Sequence, residues 1–148
     1  MGMKRVLLGL VVITGVALLT PVPVQTHHAF AAEFDSNRPI AVEGVIARVD
    51  WINPHAWIHL DVRNDEGEVE RWMFELSNVG SLGRRGITKN TEHMAVGTEV
   101  SAEGFLSKGQ PRRANGRSLK YANGDILFVG SSGTGAPDDG LDPTETQQ

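Results

Sequence analysis

The chain has 148 residues, a formal net charge of −4 and no cysteine. That is one domain's worth of sequence, near neutral once Asp138, Asp139, Asp142 and Glu145 of the tail are set aside, so bulk charge gives no argument for a nucleic-acid partner. The missing cysteines exclude disulfides, thiolate catalysis, thiolate metal sites and a lipoprotein anchor together.

The chain opens as an address. Lys4 and Arg5 precede an uninterrupted apolar or small-residue run from Val6 to Leu19, and Pro21 and Pro23 stop any helix beyond it. A run of about 14 residues suits the apolar region of a signal peptide and is short for a membrane span. The expectation is export across a bacterial inner membrane to a periplasmic or secreted location, with no stable span after cleavage. Two cleavage positions are open. Ala29-Phe30-Ala31 fits the small-x-small rule by type, and Val24-Gln25-Thr26 is better placed but poorer in type. Residues 1–26 are read as the signal peptide and 27–39 as an N-terminal segment carrying His27-His28. Residues 40–130 are read as the β domain and 131–148 as a disordered acidic tail.

Within the domain the apolar pattern has period two. Ile40 to Trp51 alternates, with Val45, Ala47, Val49 and Trp51 on one face. Asn53-Pro54 marks a turn. From His55 the alternation places Ala56, Ile58, Leu60 and Val62 on one side and His55, Trp57, His59 and Asp61 on the other. Asn64-Asp65-Glu66-Gly67 reads as a hairpin turn, and Val69 to Leu76 as a third strand with Trp72, Phe74 and Leu76 inward. Asn78 to Gly86 reads as a short helix that Asn78 caps and Gly86 closes. Thr91 to Gly97 is a connector, Thr98 to Leu106 a strand, and Lys108 to Gly116 a polar, basic loop. The last strands fall near Ser118–Tyr121 and Ile126–Val129, around Asn123-Gly124. Three strands, a helix and two or three more strands give a mostly β fold, a small OB-like Greek-key barrel with one short helix. An antiparallel β-sandwich is the alternative.

The segment His27-His28-Ala29-Phe30-Ala31-Ala32-Glu33-Phe34-Asp35 resembles the opening of an exported bacterial family of unknown function, domain of unknown function 6152. Ala29 departs from the serine usual there. The likeness continues through Gly44-Val45-Ile46, Trp51-Ile52-Asn53-Pro54-His55, Trp72-Met73-Phe74-Glu75-Leu76, Arg84-Arg85-Gly86, Gly97-Thr98-Glu99-Val100 and Asn123-Gly124. It implies an exported, small, β-rich domain and carries no activity or cofactor. It also implies a cut after Thr26, because in similar sequences the histidine pair directly follows the signal peptide.

Three groups of residues could carry chemistry. With His27 as the mature terminus, its α-amino group and imidazole chelate copper or zinc and His28 adds a second imidazole, since nitrogen ligands suit both ions. His55, beside Pro54 and Trp51, is the expected third metal ligand. On the strand face, Trp57 and His59 are ligand-binding candidates, with Trp51 and Asn53 at the turn. His55 and His59 stand four residues apart, about 13 Å along a strand, too far for one ion without a bulge. Arg84 and Arg85 near the helix, and the basic loop with Lys108, Arg112, Arg113 and Arg117, offer a surface for an anionic envelope component. The sequence has no Gly-x-Ser-x-Gly elbow, phosphate-binding loop, dinucleotide fingerprint or His-Glu-x-x-His. The expectation is a non-enzymatic periplasmic binding protein, for copper or zinc or, alternatively, for a protein, lipid or glycan of the envelope.

Overall fold

The computed structural model describes residues 30–131 and 136–137. The segment expected to be a signal peptide, the histidine pair and most of the tail lie outside the described residues. The elements are α1 (Phe30–Glu33), β1 (Phe34–Asp50), β2 (Trp57–Arg63), β3 (Val69–Glu75), α2 (Val79–Arg84), a 3₁₀ turn (Glu92–Met94), β4 (Glu99–Ser107), β5 (Arg113–Lys120) and β6 (Ile126–Phe128). Among the described residues no helix is long and apolar enough to cross a membrane.

The strands form one sheet in the order β3-β2-β1-β4-β5-β6, and β3 also pairs with β5. That extra pairing is parallel, through Met73–Arg113, Phe74–Ala114 and Glu75–Asn115, whereas the other neighbours are antiparallel. Five strands thus close a ring of hydrogen bonds, β1-β2-β3-β5-β4-β1, with β6 added outside β5. The chain order of three strands, a short helix and three more strands is as expected, and the strands lie in one mostly β sheet with a ring of hydrogen bonds.

The ring closes over the side chains that the period-two pattern aimed inward. Ala56, Ile58 and Leu60 of the β2 segment face Phe74 and Leu76 of the β3 segment, and all five are fully buried. Between them Gly67 takes φ +83°, while the Asn64 side chain accepts from the N–H groups of Glu66 and Glu68. Asn78 Oδ1 accepts from Ser81 N–H at 2.8 Å to start α2. Leu82 reaches the core, and Gly86 ends the helix at φ +78°. Arg85, just after α2, donates to the carbonyls of Phe128, at the end of β6, and of Gly130 beyond it.

Two local expectations are corrected. β1 begins at Phe34, ahead of Ile40, and it does not keep one inward face. Val42 and Ile46 are buried, Val45 is exposed, and Val49 and Trp51 pack against the core. The cause is a β-bulge: the register passes from Ile46–Leu60 to Arg48–His59, so Ala47 is an extra residue and the side-chain parity flips there. The basic loop is also shorter than expected, because β5 starts at Arg113. Its residues Asn115, Arg117 and Ser118 are polar and buried, so no apolar alternation announces the strand.

Candidate functional site

A group of charged and aromatic side chains lies at one end of the ring, where β1 begins, β3 ends and β5 begins. Alternation along the strands turns Ile58, Phe74 and Ala114 into the core and leaves Trp57, Glu75 and Arg113 pointing outward from neighbouring positions. The Arg113 guanidinium lies 5.0 Å from the Trp57 ring centroid and 5.5 Å from that of Phe34, within cation–π range. Its NH2 group donates to Glu33 Oε2 at 2.7 Å and to Glu75 Oε2 at 3.2 Å. One cation therefore ties two carboxylates and two rings, and charge-assisted bonds of this kind are the strong ones.

The same contacts anchor the N-terminal segment. Phe30 is 4% exposed, with its ring edge-on to Phe105 at 5.4 Å and 5.7 Å from Phe34. Lys108 donates from Nζ to the Ala31 carbonyl at 2.6 Å and from its backbone N–H to the Glu33 carbonyl at 2.9 Å. Phe30 to Glu33 are thus part of the folded body.

The described histidines do not converge. His55 Nδ1 lies 3.2 Å from the Leu76 carbonyl oxygen and 3.7 Å from Glu75 Oε1. A carbonyl only accepts, so Nδ1 carries the proton and donates. His59, expected on an open face, is buried. Its Nε2 lies 2.9 Å from Asp50 Oδ2 and 2.9 Å from Arg48 NH2, which itself donates to the same carboxylate at 2.8 Å. Desolvation pushes the Asp50 carboxyl up, but the hydrogen bonds from His59 and Arg48 outweigh it and hold the group below the usual carboxylate range. Asp61 pairs with Arg71. Trp51 packs partly buried against the core and Asn53 is exposed, with the Asn53–Pro54 peptide bond cis. Arg84 donates to Ser81 Oγ at 2.9 Å on the surface of α2. Among the described residues no three His, Asp or Glu side chains gather as a metal site.

The basic loop is internally engaged. Arg112 binds Glu70 at 2.8 Å, Lys120 binds Glu103 at 2.6 Å, Lys108 and Arg113 are held as described, and Arg117 is buried. Sequence reasoning missed Glu33, Glu75 and Arg113 as one unit, since their pairing spans the whole domain and no local spacing signals it. It also passed over His93, whose Nε2 lies 2.6 Å from Asp125 Oδ2 and whose ring packs edge-on against Tyr121 at 4.7 Å. Hydrogen bonds from His93 and Asn123 hold the Asp125 carboxyl below its ordinary range. This pair pins the 3₁₀ turn to the β5–β6 turn; the Asn123-Gly124 turn was readable, its partner was not.

No curated protein and no solved structure matches the chain. A family described only as being of unknown function matches residues 16–116, which cover the anchored segment, β1 to β4 and the first half of β5. The chain belongs to that family, DUF6152.

Proposed function

We propose that the protein is an exported, non-catalytic binding domain that handles copper or zinc in the bacterial envelope, through His27 and His28 at the mature terminus. The observation that supports this reading is the anchoring of Phe30 to Glu33, one residue beyond the pair in sequence. Phe30 is buried two residues beyond His28, and Lys108 and Arg113 hold Ala31 and Glu33. A pair separated from a buried aromatic by Ala29 alone has fewer bonds to order on ligation than the same pair at the end of a long tether would. A cut after Ala31 would also remove Phe30 from its place against Phe105, so the fold favours a cut that leaves the pair in place.

The alternative, a surface for an envelope protein, lipid or glycan, draws less support. Its basic loop spends its charges on Glu70, Glu33, Glu75 and Glu103. One side of Trp57 is taken by Arg113.

Native mass spectrometry of protein exported and processed in a Gram-negative host tests the proposal. The expected species begins at His27 and carries one copper or zinc ion that is lost in His28→Ala. A species beginning at Ala32, or one beginning at His27 that stays metal-free with both ions supplied, rejects it.

A further inference from the structure

We propose that the outer face of β1, β4 and β5 holds a neutral sugar residue, in a groove lined by Glu103, Phe105 and Arg117. This site goes beyond the metal reading and shares no residue with it. It uses neither Trp57 nor the charges of the loop 108–112. The groove has a volume of about 360 Å³, and Pro39 and Ala41 complete its walls. That is the lower end of the range for small-ligand sites.

The strand registers build the groove from two rows of outward side chains. Pro39, Phe105 and Asn115 are partners in one row across β1, β4 and β5, and Ala41, Glu103 and Ser118 are partners in the next. Directly opposed residues share a face of the sheet, while Ile40, between the rows on β1, packs against the core. On β5 the register passes from Gly104–Gly116 to Glu103–Ser118, so Arg117 is an extra residue between the rows. A bulge of this kind re-aims a side chain, and here Arg117 joins the lining of the groove.

The charges select the ligand. Glu103 accepts from Ser118 Oγ at 2.7 Å through one oxygen and from Lys120 Nζ at 2.6 Å through the other. Each carboxylate oxygen has two lone-pair directions, so each can accept once more. The Arg117 guanidinium carries five N–H donors, and a hydroxyl needs only one. An anion entering the groove is opposed by Glu103, and a cation by Arg117 and Lys120. A hydroxyl fits both signs, since it donates to the carboxylate and accepts from the guanidinium. Pro39, Ala41 and Phe105 offer apolar surface beside these groups. Hydroxyls set around a ring of C–H groups are the chemistry of a sugar.

Asn115 is the second, independent observation. It stands opposite Phe105, is 5% exposed, and its Oδ1 has no hydrogen-bond partner. Polar side chains buried this deeply are ordinarily bonded. An acceptor left over in the row that forms one side of the groove points to a donor from outside the chain.

The full chain is titrated with glucose and with N-acetylglucosamine while its side-chain N–H signals are followed by NMR. EDTA is present throughout, so the outcome is independent of copper or zinc binding. The expected result is a saturable shift of the Asn115 amide and Arg117 Nε–H signals with a sugar, and none with acetate or glycine. Glu103→Gln weakens sugar binding about tenfold, as expected for a hydrogen bond to a charged group. Ala41→Leu, which crowds the groove from an exposed position, abolishes it. No saturable shift with either sugar, or undiminished binding in Ala41→Leu, overturns the inference. Saturable binding of acetate or glycine in place of the sugars overturns it as well. A crystal of the sugar-soaked protein that shows a water alone at Asn115 Oδ1 does the same, and gives that acceptor to structural water. If Glu103→Gln does not fold, Ala41→Leu and the unaltered protein still decide.

Discussion

Asp50 shows how a single carboxylate is placed here. It ends β1 opposite Trp57, accepts from both His59 and Arg48, and is left about one third exposed at its side chain. Its pKa is lowered despite the opposing effect of burial, so the native state favours its ionised form. A group of that kind adds stability that is whole above the ordinary carboxylate pKa, about 4, and is lost as pH falls below it. The expected outcome in urea unfolding is that Asp50→Ala lies below the unaltered protein at pH 7 and that the gap closes toward pH 3. A gap that is constant across that range would mean that packing, and not charge, is what the substitution removes. His59 shares this arrangement and serves it structurally, which is why its presence on a strand with Trp57 does not make a metal face.

At the scale of elements, β4 and β5 meet with almost no clearance. A Cβ built on Gly104 would stand 2.0 Å from the Asn115 carbonyl oxygen, a contact that only a backbone shift could relieve. Overpacking typically costs about 1–3 kcal/mol, and a clash with backbone belongs at the upper end. Gly104→Ala is therefore expected to lower unfolding stability by about 3 kcal/mol, measured by urea at neutral pH, whereas Gly109→Ala, with open space around it, is expected to change little. Element by element, the sequence was legible wherever burial alternates cleanly. β2 and β3 carry Ile58, Leu60 and Phe74 at every second position, and α2 carries its own cap and stop. It was not legible where a bulge changes parity, as at Ala47, or where a strand is buried without being apolar, as at Asn115 to Ser118. The candidate site divides along the same line. His55 and Trp57 stand out by residue type, but Arg113 and Glu33 meet across 80 positions through the closure of the ring, and only the fold brings them together.

On the scale of the whole molecule, the parallel β3–β5 pairing makes each of the five ring strands a neighbour of two others. No strand can leave without breaking two ladders and opening the shared core of Ile46, Ile58, Leu60, Phe74 and Leu119. Unfolding is accordingly expected to be a single transition. Fluorescence of Trp51, Trp57 and Trp72, which report on the β1–β2–β3 side, should change at the same denaturant concentration as far-UV circular dichroism, which reports on every strand. An earlier fluorescence midpoint would show that this side separates from β4 and β5, and that ring closure contributes little cooperativity. Among the described residues β6 is the one strand outside the ring, and no further strand covers its outer margin. Exposed margins of this kind are templates on which a second chain can add its own strand. The guanidinium of Arg85, laid across the carbonyls of Phe128 and Gly130, occupies acceptors that such a recruit would need. A residue that looks like surface charge in the sequence thus fills the acceptors of a sheet margin.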